Sequence, residues 1–336
     1  MLSSVPMSRL ATDQWLVRVA WLCVMSLKTS SSQAIQRELL VIGMNDEAVT
    51  HRLRRQTAPS LPLTVVIPAK NEERNLPRCL EALKGFAKTL VVDSGSVDAT
   101  REIAHRYGAG FVTFEWNGRY PKKRNWVLLT RHVKTEWVLF LDADELLTAP
   151  AREEIAHAVM AGEHVGYWVN YTNYFLGRRL KGSVPQRKLA LFKVGAGLYE
   201  HVEEEFWSNL DMEVHEHPII QGSVGCIRSP LEHNDDRGID SFVDRHRAYA
   251  RWEAHRLLLL EQQKGGRDHL TRRQRFKYSK IERWWYPWAY FVYAYFIRCG
   301  FRDGAVGFYY AFYKAWYFVS VRLEIAELRA ARQTRG

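Results

Sequence analysis

Three short segments, each an apolar stretch that ends in acidic residues, constrain the fold of this chain more than any other feature. They are VVIPAKNEERNL at Val65–Leu76, VVDSGSVDAT at Val91–Thr100 and LFLDADE at Leu139–Glu145. Short apolar, β-rich runs of this kind are typical of buried strands. In open α/β sheets, ligands bind beyond the ends of the strands. The three segments therefore predict three strands that contribute to one binding site.

The residues between these segments have the pattern of helices. Leu76, Leu80 and Leu83 share one face of a first helix that Asn75 can cap, and Asp98 can cap a second helix. A strand–helix–strand–helix order predicts parallel strands joined by right-handed crossovers. The crossovers bring three acidic clusters to one crevice: Glu72 with Glu73, Asp93, and Asp142 with Asp144.

Two carboxylates as close as those of Asp142 and Asp144 repel each other unless a cation or protons compensate. The pair therefore predicts a hard divalent ion, Mg²⁺ or Mn²⁺, which prefers one or two carboxylates together with water and substrate phosphates. That preference predicts a nucleotide diphosphate as the remaining ligand. The alternative is that both aspartates only end a strand and cap the next helix, and the two other strand-end motifs make it the weaker interpretation.

The combined motifs resemble those of family-2 glycosyltransferases with the GT-A fold, a Rossmann-like αβα sandwich with a mostly parallel sheet. The resemblance is close to the branch of lipopolysaccharide-core β-glucosyltransferases and exopolysaccharide glycosyltransferases, and it spans about residues 61–325. The segments that carry it are IPAKNEERNLPRCLEAL, VVDSGSVDAT, KKRNWVL at Lys122–Leu128, EWVLFLDADE, GYWVNYTNYFLGRRL from Gly166, and VHEHP at Val214–Pro218. It implies inverting transfer of a hexose from a UDP-sugar, with a metal held by the DxD motif.

The resemblance also implies roles for single residues. Asp93 would hydrogen-bond the uracil ring, Asp142 would contact the ribose or the metal, and Asp144 would bind the metal. The other residues implied to surround the nucleotide-sugar are Pro68, Ala69, Glu72, Lys123, Arg124 and Asn125. For the last three, a solvated helix start is the alternative.

An inverting transfer needs a base that removes a proton from the acceptor hydroxyl, and such a base contributes ~10²–10⁴-fold in rate. Glu216, within VHEHP, matches the family position given that role. The acidic segment before it leaves three alternatives open: Glu200, Glu203–Glu205 and Asp211. The neighbouring histidines are interpreted as packed or solvent-facing, because no cysteine accompanies them at the spacing of a zinc site.

A length of 336 residues allows one sizeable core with extensions. We predict an amphipathic or poorly ordered N-terminal extension at 1–60, a catalytic domain at 61–263 and a helical region at 264–336. Met44 is a candidate start of the natural chain. Four cysteines without a CxxC pair fit a reducing cytosol better than a disulfide framework.

The C-terminal region is basic and aromatic. From Lys264 onwards it has 15 Lys or Arg against 5 Asp or Glu, and 20 of the chain's 43 Phe, Trp and Tyr lie between Phe276 and Phe318. Its apolar runs are shorter than the ~20 residues of a membrane-spanning helix. The composition therefore predicts helices that lie on an anionic membrane surface. The alternatives are a helical pair packed on the catalytic domain and a re-entrant hairpin.

These observations predict a peripheral enzyme at the cytoplasmic face of the inner membrane, which moves a sugar onto a lipid-linked glycan or lipopolysaccharide core. Arg178, Arg179 and Lys181 are candidates to hold acceptor phosphate, with a solvated loop as the alternative. A sugar nucleotidyltransferase would carry a Gly-rich phosphate loop, which PAKNEER lacks. A non-catalytic scaffold with this fold has no need of the DAD and VHEHP acids. No recognition-module signature indicates a nucleic-acid partner.

Overall fold

The computed structural model describes residues 61–204, 207–214, 216–235, 237–262 and 270–334. The predictions for residues 1–60, for the candidate start at Met44, for Glu205 and for a boundary between 263 and 264 lie outside these ranges.

In the described part of the chain, the strands are β1 Leu63–Ala69, β2 Lys88–Asp93, β3 Gly110–Thr113, β4 Trp137–Phe140, β5 Glu145–Leu146, β6 Gly166–Phe175, β7 Arg178–Arg179, β8 Gln186–Lys193, β9 Gly197–Tyr199, β10 Pro218–Ile220 and β11 Val224–His233. The helices are α1 Leu76–Leu83, α2 Thr100–Arg106, α3 Lys123–Leu129, α4 Ala149–Ala161, α5 Gly238–Gln262, α6 Arg272–Lys280, α7 Tyr286–Val292 and α8 Gly304–Gln333. A π-helical turn at Tyr293–Ile297 and a 3₁₀ turn at Gly300–Asp303 join α7 to α8.

Within the described residues, one sheet has the strand order β3-β2-β1-β4-β8-β6-β11-β5, with β7 paired to β6. The strands β1 to β4 run parallel to one another, as the three motifs predict. Strand β8 is antiparallel to both of its neighbours, and β11 is parallel to β6. The predicted α/β class, with a largely parallel sheet and a helical C-terminal appendage, is confirmed.

Side chains of β1 alternate between two cores, and for this reason the whole strand is buried. Val65 and Ile67 pack on one face of the sheet with α1, α2 and α4. Val66 points to the other face, where it packs with α3 and the β9 side chain Tyr199. Burial of such a side chain contributes about 1.5–3 kcal/mol, so both helical layers are held to this strand.

The predicted helix after the first motif is present, but its predicted cap is wrong. Leu76, Leu80 and Leu83 are buried on one face of α1. Asn75 has helical backbone angles and makes no side-chain cap; its amide instead donates to Glu72 (3.0 Å) and to Asp235 (3.3 Å). The NH₂ group of Asn75 is therefore directed at the acids around the strand ends, and its backbone is already helical.

The C-terminal helices pack against α5. Leu257 and Leu258 of α5 share a core with Tyr278 of α6 and with Phe318 and Val321 of α8. Among the described helices, none has both the length and the apolar character needed to cross a membrane. The C-terminal helices therefore form a layer that packs on α5. The alternative of a helical pair packed on the catalytic domain requires packing of this kind.

Hydrogen bonds to the side chain of Asp303 connect the end of the β6–β7 hairpin to the start of α8. The carboxylate of Asp303 accepts hydrogen bonds from the N–H groups of Lys181 (2.9 Å) and Gly182 (2.8 Å). Gly182 lies so close to the carbonyl of Cys299 that a Cβ atom would clash with it. Residue 182 must therefore be glycine for this close approach to form. We refer to the contact of Lys181 and Gly182 with Asp303 as the hairpin tie.

Candidate active site

A cavity of about 490 Å³ lies beyond the carboxyl ends of β1 and β4. Of the residues predicted to surround the nucleotide-sugar and metal, its walls contain Pro68, Ala69, Glu72, Lys123, Asp142 and Asp144. The parallel pairing of β1 with β4 accounts for this, because it brings the first and third motifs to the same edge of the sheet. We call this space the strand-end cavity.

Asp93 occupies the end of β2, level with Ala69 at the end of β1. It is not part of the cavity lining. Its buried carboxylate accepts hydrogen bonds from the backbone N–H of Ser96 (2.9 Å) and from the Ser96 hydroxyl. Its side chain therefore fixes the loop after β2, and its predicted contact with a uracil ring stays a prediction.

The carboxylate of Asp142 is neutralised by two cations. Its Oδ1 lies 2.6 Å from Arg124 Nη2, and its Oδ2 lies 3.1 Å from Lys188 Nζ. Burial opposes ionisation of the carboxyl, but Lys188 and Arg124 together hold the pKa of Asp142 well below its ordinary value. Lys188 also pairs with Glu145, so one lysine from β8 serves two acidic groups. Sequence reasoning missed Lys188, which lies within the strand segment QRKLALFK.

The carboxylate of Asp144 lies within a second set of charges. Its Oδ2 is 3.4 Å from His233 Nε2 and 3.3 Å from Arg237 Nη2. Arg237 also contacts Glu72 (2.6 Å) and Asp235 (2.8 Å). Although burial disfavours the charged imidazole, Asp144 raises the pKa of His233 to about 9.

Glu72 lies beside these charges. Burial raises the pKa of Glu72 to about 7, although the nearby Arg237 lowers it. His233, Asp235 and Arg237 follow β11 and were not predicted as site residues. The signal that could have found them is the charged run EHNDDRG directly after an apolar stretch.

The donor atoms at this edge suit a hard divalent ion. Among the described residues, Asp144 Oδ1 accepts no hydrogen bond, whereas both oxygens of Asp142 do. Carboxylate oxygens with an imidazole nearby suit Mg²⁺ or Mn²⁺ when substrate phosphates complete the ligand set. No group of three or more His, Cys, Asp or Glu within the described ranges is arranged to hold an ion without such help. The residues that fit the ion, together with substrate phosphates, are therefore Asp144 and, after release of one of its cations, Asp142.

The start of α3 joins this edge to the segment around residue 213. Lys123 Nζ donates to the carbonyl of Ala69 (3.0 Å) and lies 3.2 Å from Asp211 Oδ2. Asn125 exchanges two hydrogen bonds with the backbone of Tyr199, at 2.9 and 2.8 Å. Lys123 is therefore placed at the cavity, whereas the amide of Asn125 is committed to holding β9 beside α3.

Glu216 lies outside the strand-end cavity. It is buried, its Oε1 lies 2.8 Å from Lys122 Nζ, and its Oε2 accepts a hydrogen bond from the N–H of Val214 (2.9 Å). Burial would raise its pKa, but Lys122 keeps that pKa below its ordinary value. Glu204 contacts the same lysine, and burial raises the pKa of Glu204 to about 7.

A second cavity, of about 470 Å³, contains Glu216 in its wall together with three of the alternative bases: Glu200, Glu203 and Glu204. Glu200 pairs there with Arg256. The fourth described alternative, Asp211, lines the strand-end cavity instead. Neighbouring residues of α3 face the two cavities, because Lys123 lines the first and Asn125 the second. The base assignment to Glu216 stays a prediction.

The residues predicted to hold acceptor phosphate lie on the β6–β7 hairpin. Arg178, Arg179 and Lys181 are all exposed, and Arg178 and Arg179 form β7. The tip of this hairpin, from Tyr174 to Gly177, borders the strand-end cavity. Arg178, Arg179 and Lys181 therefore follow, in sequence, residues that line the cavity. Their role in holding acceptor phosphate stays a prediction.

Comparison with known proteins shows similarity to glycosyltransferases over part of the chain. Residues 64–211 match the family model described as glycosyl transferase family 2. The chain is 32% identical over 182 residues to the lipopolysaccharide core biosynthesis glycosyltransferase LpsC of Rhizobium meliloti (strain 1021), a match that covers 51% of this chain and 62% of that protein. Less than two thirds of that relative is therefore spanned.

Two further similarities extend over more of the chain. An uncharacterised glycosyltransferase of Rickettsia conorii is 25% identical over 242 residues, which cover 70% of this chain and 81% of that protein. The crystal structure of S. aureus TarS 1-349 in complex with UDP is 17% identical and covers 80% of this chain and 91% of its own, with a TM-score of 0.38. That score is too low to support an inference about this chain.

Proposed function

We propose that the chain, whose residues 64–211 match the model of glycosyl transferase family 2, is a glycosyltransferase that transfers a hexose, with inversion, from a UDP-sugar. The proposed acceptor is a lipid-linked glycan or a lipopolysaccharide core, in cell-surface polysaccharide synthesis. Similarity to a lipopolysaccharide core biosynthesis glycosyltransferase supports this choice of acceptor.

The observation that carries the proposal is the meeting of the first and third motifs at one cavity. Glu72, Asp142 and Asp144 line it together with Lys123, at the edge where parallel strands place ligands. A binding scaffold has no need of four charged residues, each buried or partly buried, at one cavity, and a nucleotidyltransferase would carry a Gly-rich phosphate loop, which PAKNEER lacks.

In this proposal the divalent ion is held by Asp144 and Asp142, with His233 beside them. When bound, it would neutralise the diphosphate that leaves. Lys123, whose amine is fixed by Ala69 and Asp211, adds a positive charge on the same side of the cavity. Arg124 and Lys188 hold Asp142 ionised and oriented, because both donate to its carboxylate.

Glu216 serves as the base in this proposal, and Asp211 is the alternative that lines the strand-end cavity. For Glu216 to act, its carboxylate must leave Lys122 and meet the acceptor hydroxyl. The contact with Lys122 favours the ionised form, which is the form that accepts a proton.

Donor binding tests the proposal directly. We expect UDP to bind the full-length protein in Mg²⁺ or Mn²⁺ and to lose most of its affinity in EDTA. Asp144→Asn should abolish the metal-dependent part of that affinity, because the diphosphate would no longer share an ion with the protein. Asp240→Asn is the matched control, since Asp240 is exposed and outside the cavity. Equal UDP affinity with and without the ion would contradict the metal-bridged donor.

The attachment to the membrane is the second part of the proposal. Phe296, Phe301, Phe308, Tyr309 and Phe312 are 41–54% exposed. Ring contacts through Tyr295 connect them into one aromatic face, with centroids 5.0 to 6.5 Å apart. Arg302, which follows Phe301 directly, is exposed, and so is Arg283 shortly before α7. Aromatic rings with flanking cations suit the headgroup region of an anionic bilayer.

We therefore place the protein at the cytoplasmic face of the inner membrane, attached through this aromatic face. Phe301→Asp with Phe308→Asp should reduce binding to vesicles that contain anionic phosphatidylglycerol, and high salt should weaken binding of the unchanged protein. Val97→Asp, at a 91% exposed position of the catalytic domain, is the control. Unchanged vesicle binding by the double variant would show that the aromatic face does not attach the protein to the membrane.

A further inference from the structure

Part of the lining of the strand-end cavity comes from helices in the C-terminal half of the chain, and we call this part its helical end. It consists of Phe242, His246 and Tyr249 of α5 together with Tyr310 and Lys314 of α8. None of these residues belongs to the motifs that predicted the site. The layer that packs on α5 therefore also supplies part of the cavity wall.

Hydrogen bonds fix the orientation of the two basic groups at this end. His246 Nδ1 lies 2.8 Å from the carbonyl oxygen of Phe242, which can only accept, so this nitrogen carries the proton. The neutral ring then presents a lone pair at Nε2, and Lys314 Nζ lies 3.3 Å from it. One N–H of Lys314 is thus used to orient the ammonium group beside the cavity.

The charge of Lys314 is not neutralised by the described residues. No carboxylate of the described chain lies within ion-pair distance of its Nζ, whereas Lys123 in the same cavity pairs with Asp211 and Lys188, beside the cavity, pairs with Asp142. Burial lowers the pKa of Lys314 to about 8, and no acidic group opposes that effect. Its remaining N–H donors therefore lack an anionic partner in a space that a ligand can enter.

Other groups at this end provide neutral polar contacts. Gln186 Nε2 donates to the hydroxyl of Tyr310 at 3.4 Å, and the Lys314 ammonium lies 5.6 Å from the Tyr310 ring. These contacts hold the lysine without supplying a negative charge. A partly buried cation of this kind is stabilised when an anion binds beside it.

We propose that Lys314, oriented by His246, forms an anion subsite for the acceptor, which binds a phosphate or carboxylate group at the helical end of the strand-end cavity. This inference rests on the proposed transferase function for the identity of the bound molecule. It assigns to the C-terminal helix a part in recognising the acceptor, besides its part in packing.

Two probes of the shared oxyanion chemistry test the subsite. Inorganic phosphate and acetate are each titrated calorimetrically into the full-length protein saturated with UDP and Mg²⁺, so that the donor end is occupied. Lys314→Met should bind phosphate about tenfold more weakly or worse, as the loss of a charge-assisted hydrogen bond implies. Binding of phosphate but not acetate would assign the subsite to phosphate, and the reverse to a carboxylate.

Control variants separate this effect from a general loss of charge or of fold. Lys134→Met removes one exposed positive charge away from the cavity and should bind both anions as the unchanged protein does. Lys314→Arg retains the charge and should retain most of the affinity. Lys314→Gln is the second variant if the methionine is poorly packed, and thermal unfolding monitors each protein.

The inference is overturned if the unchanged, UDP-loaded protein binds neither anion, or if Lys314→Met binds them equally well. It is also overturned if Lys314→Met weakens UDP binding by the same factor, because the lysine would then serve the donor. If UDP fails to bind at all, the proposed function fails, and the titrations without UDP still decide whether Lys314 binds an anion.

Discussion

Replacing Asp142 by asparagine should damage the fold before it damages catalysis. In the structure, Asp142 is the anion between two cations, Arg124 and Lys188, whose side chains are only 8% and 20% exposed. Asparagine can accept a hydrogen bond from one of them, but its NH₂ group then faces the other as donor against donor. Glu145 remains as a partner for Lys188, whereas Arg124 loses its ion pair with a carboxylate.

The expected loss follows from this geometry. Breaking a buried ion pair from one side costs ~3–5 kcal/mol, and the 32% exposure of the Asp142 side chain places the value near the lower end, at about 3 kcal/mol. At about 2–4 °C per kcal/mol for a domain of this size, the melting temperature should fall by about 6–12 °C. Asp144→Asn should cost less, about 1.5–2 kcal/mol, because Arg237 keeps both Glu72 and Asp235, while His233 loses its carboxylate partner but can give up its proton.

Urea unfolding followed by circular dichroism at pH 7, together with thermal unfolding, measures both values. A midpoint for Asp142→Asn equal to that of the unchanged protein would refute the reasoning, since it would mean that the two cations do not depend on this carboxylate. If instead both variants lose the same large amount of stability, the charges around Asp144 are less well compensated than the contacts indicate. In either case, Asp144→Asn is the cleaner probe of donor binding.

Three further outcomes are expected. Glu216→Gln should lower turnover by about 10²–10⁴-fold with little change in UDP affinity; normal turnover of that variant with a loss in Asp211→Asn would move the base to Asp211. Phosphate affinity at the Lys314 subsite should fall as the pH rises above about 8, because the ammonium loses its proton there while the pKa of Tyr249, at about 12, lies far above that range; a flat titration between pH 7 and 9 would argue against the ammonium. Trp288→Asp, at a 56% exposed position of α7, should weaken vesicle binding without changing UDP affinity.

The sequence predicts the parallel half of the sheet because each of its strands ends in a local signal. The motifs after β1 and β4 each follow their strand directly in the chain. Because these two strands are parallel neighbours, Glu72 lies at the same edge of the sheet as Asp142 and Asp144. The burial of β1 on both faces is also visible, since its run LTVVIPA is almost entirely apolar. These parts of the fold and site depend on short-range patterns, and for this reason they could be predicted.

The other half of the site depends on pairings between distant segments. His233, Asp235 and Arg237 reach the cavity because β11 lies parallel to β6 and next to β5, which no local pattern specifies. Lys188 faces Asp142 through the antiparallel pairing of β8 with β4. Lys188 and Arg237 also supply much of the positive charge that compensates Asp142 and Asp144, a compensation that the sequence pattern assigns to a metal alone.

The hairpin tie fixes the position of the β6–β7 hairpin relative to the aromatic face. Asp303 holds the backbone of Lys181 and Gly182 against the start of the helix that carries the aromatic face. If that face lies on a membrane, as we propose, then the hairpin and the rim of the strand-end cavity stand at one distance from the lipid surface. The protein would then prefer acceptors whose growing end extends from the membrane by that length to acceptors that are shorter or longer.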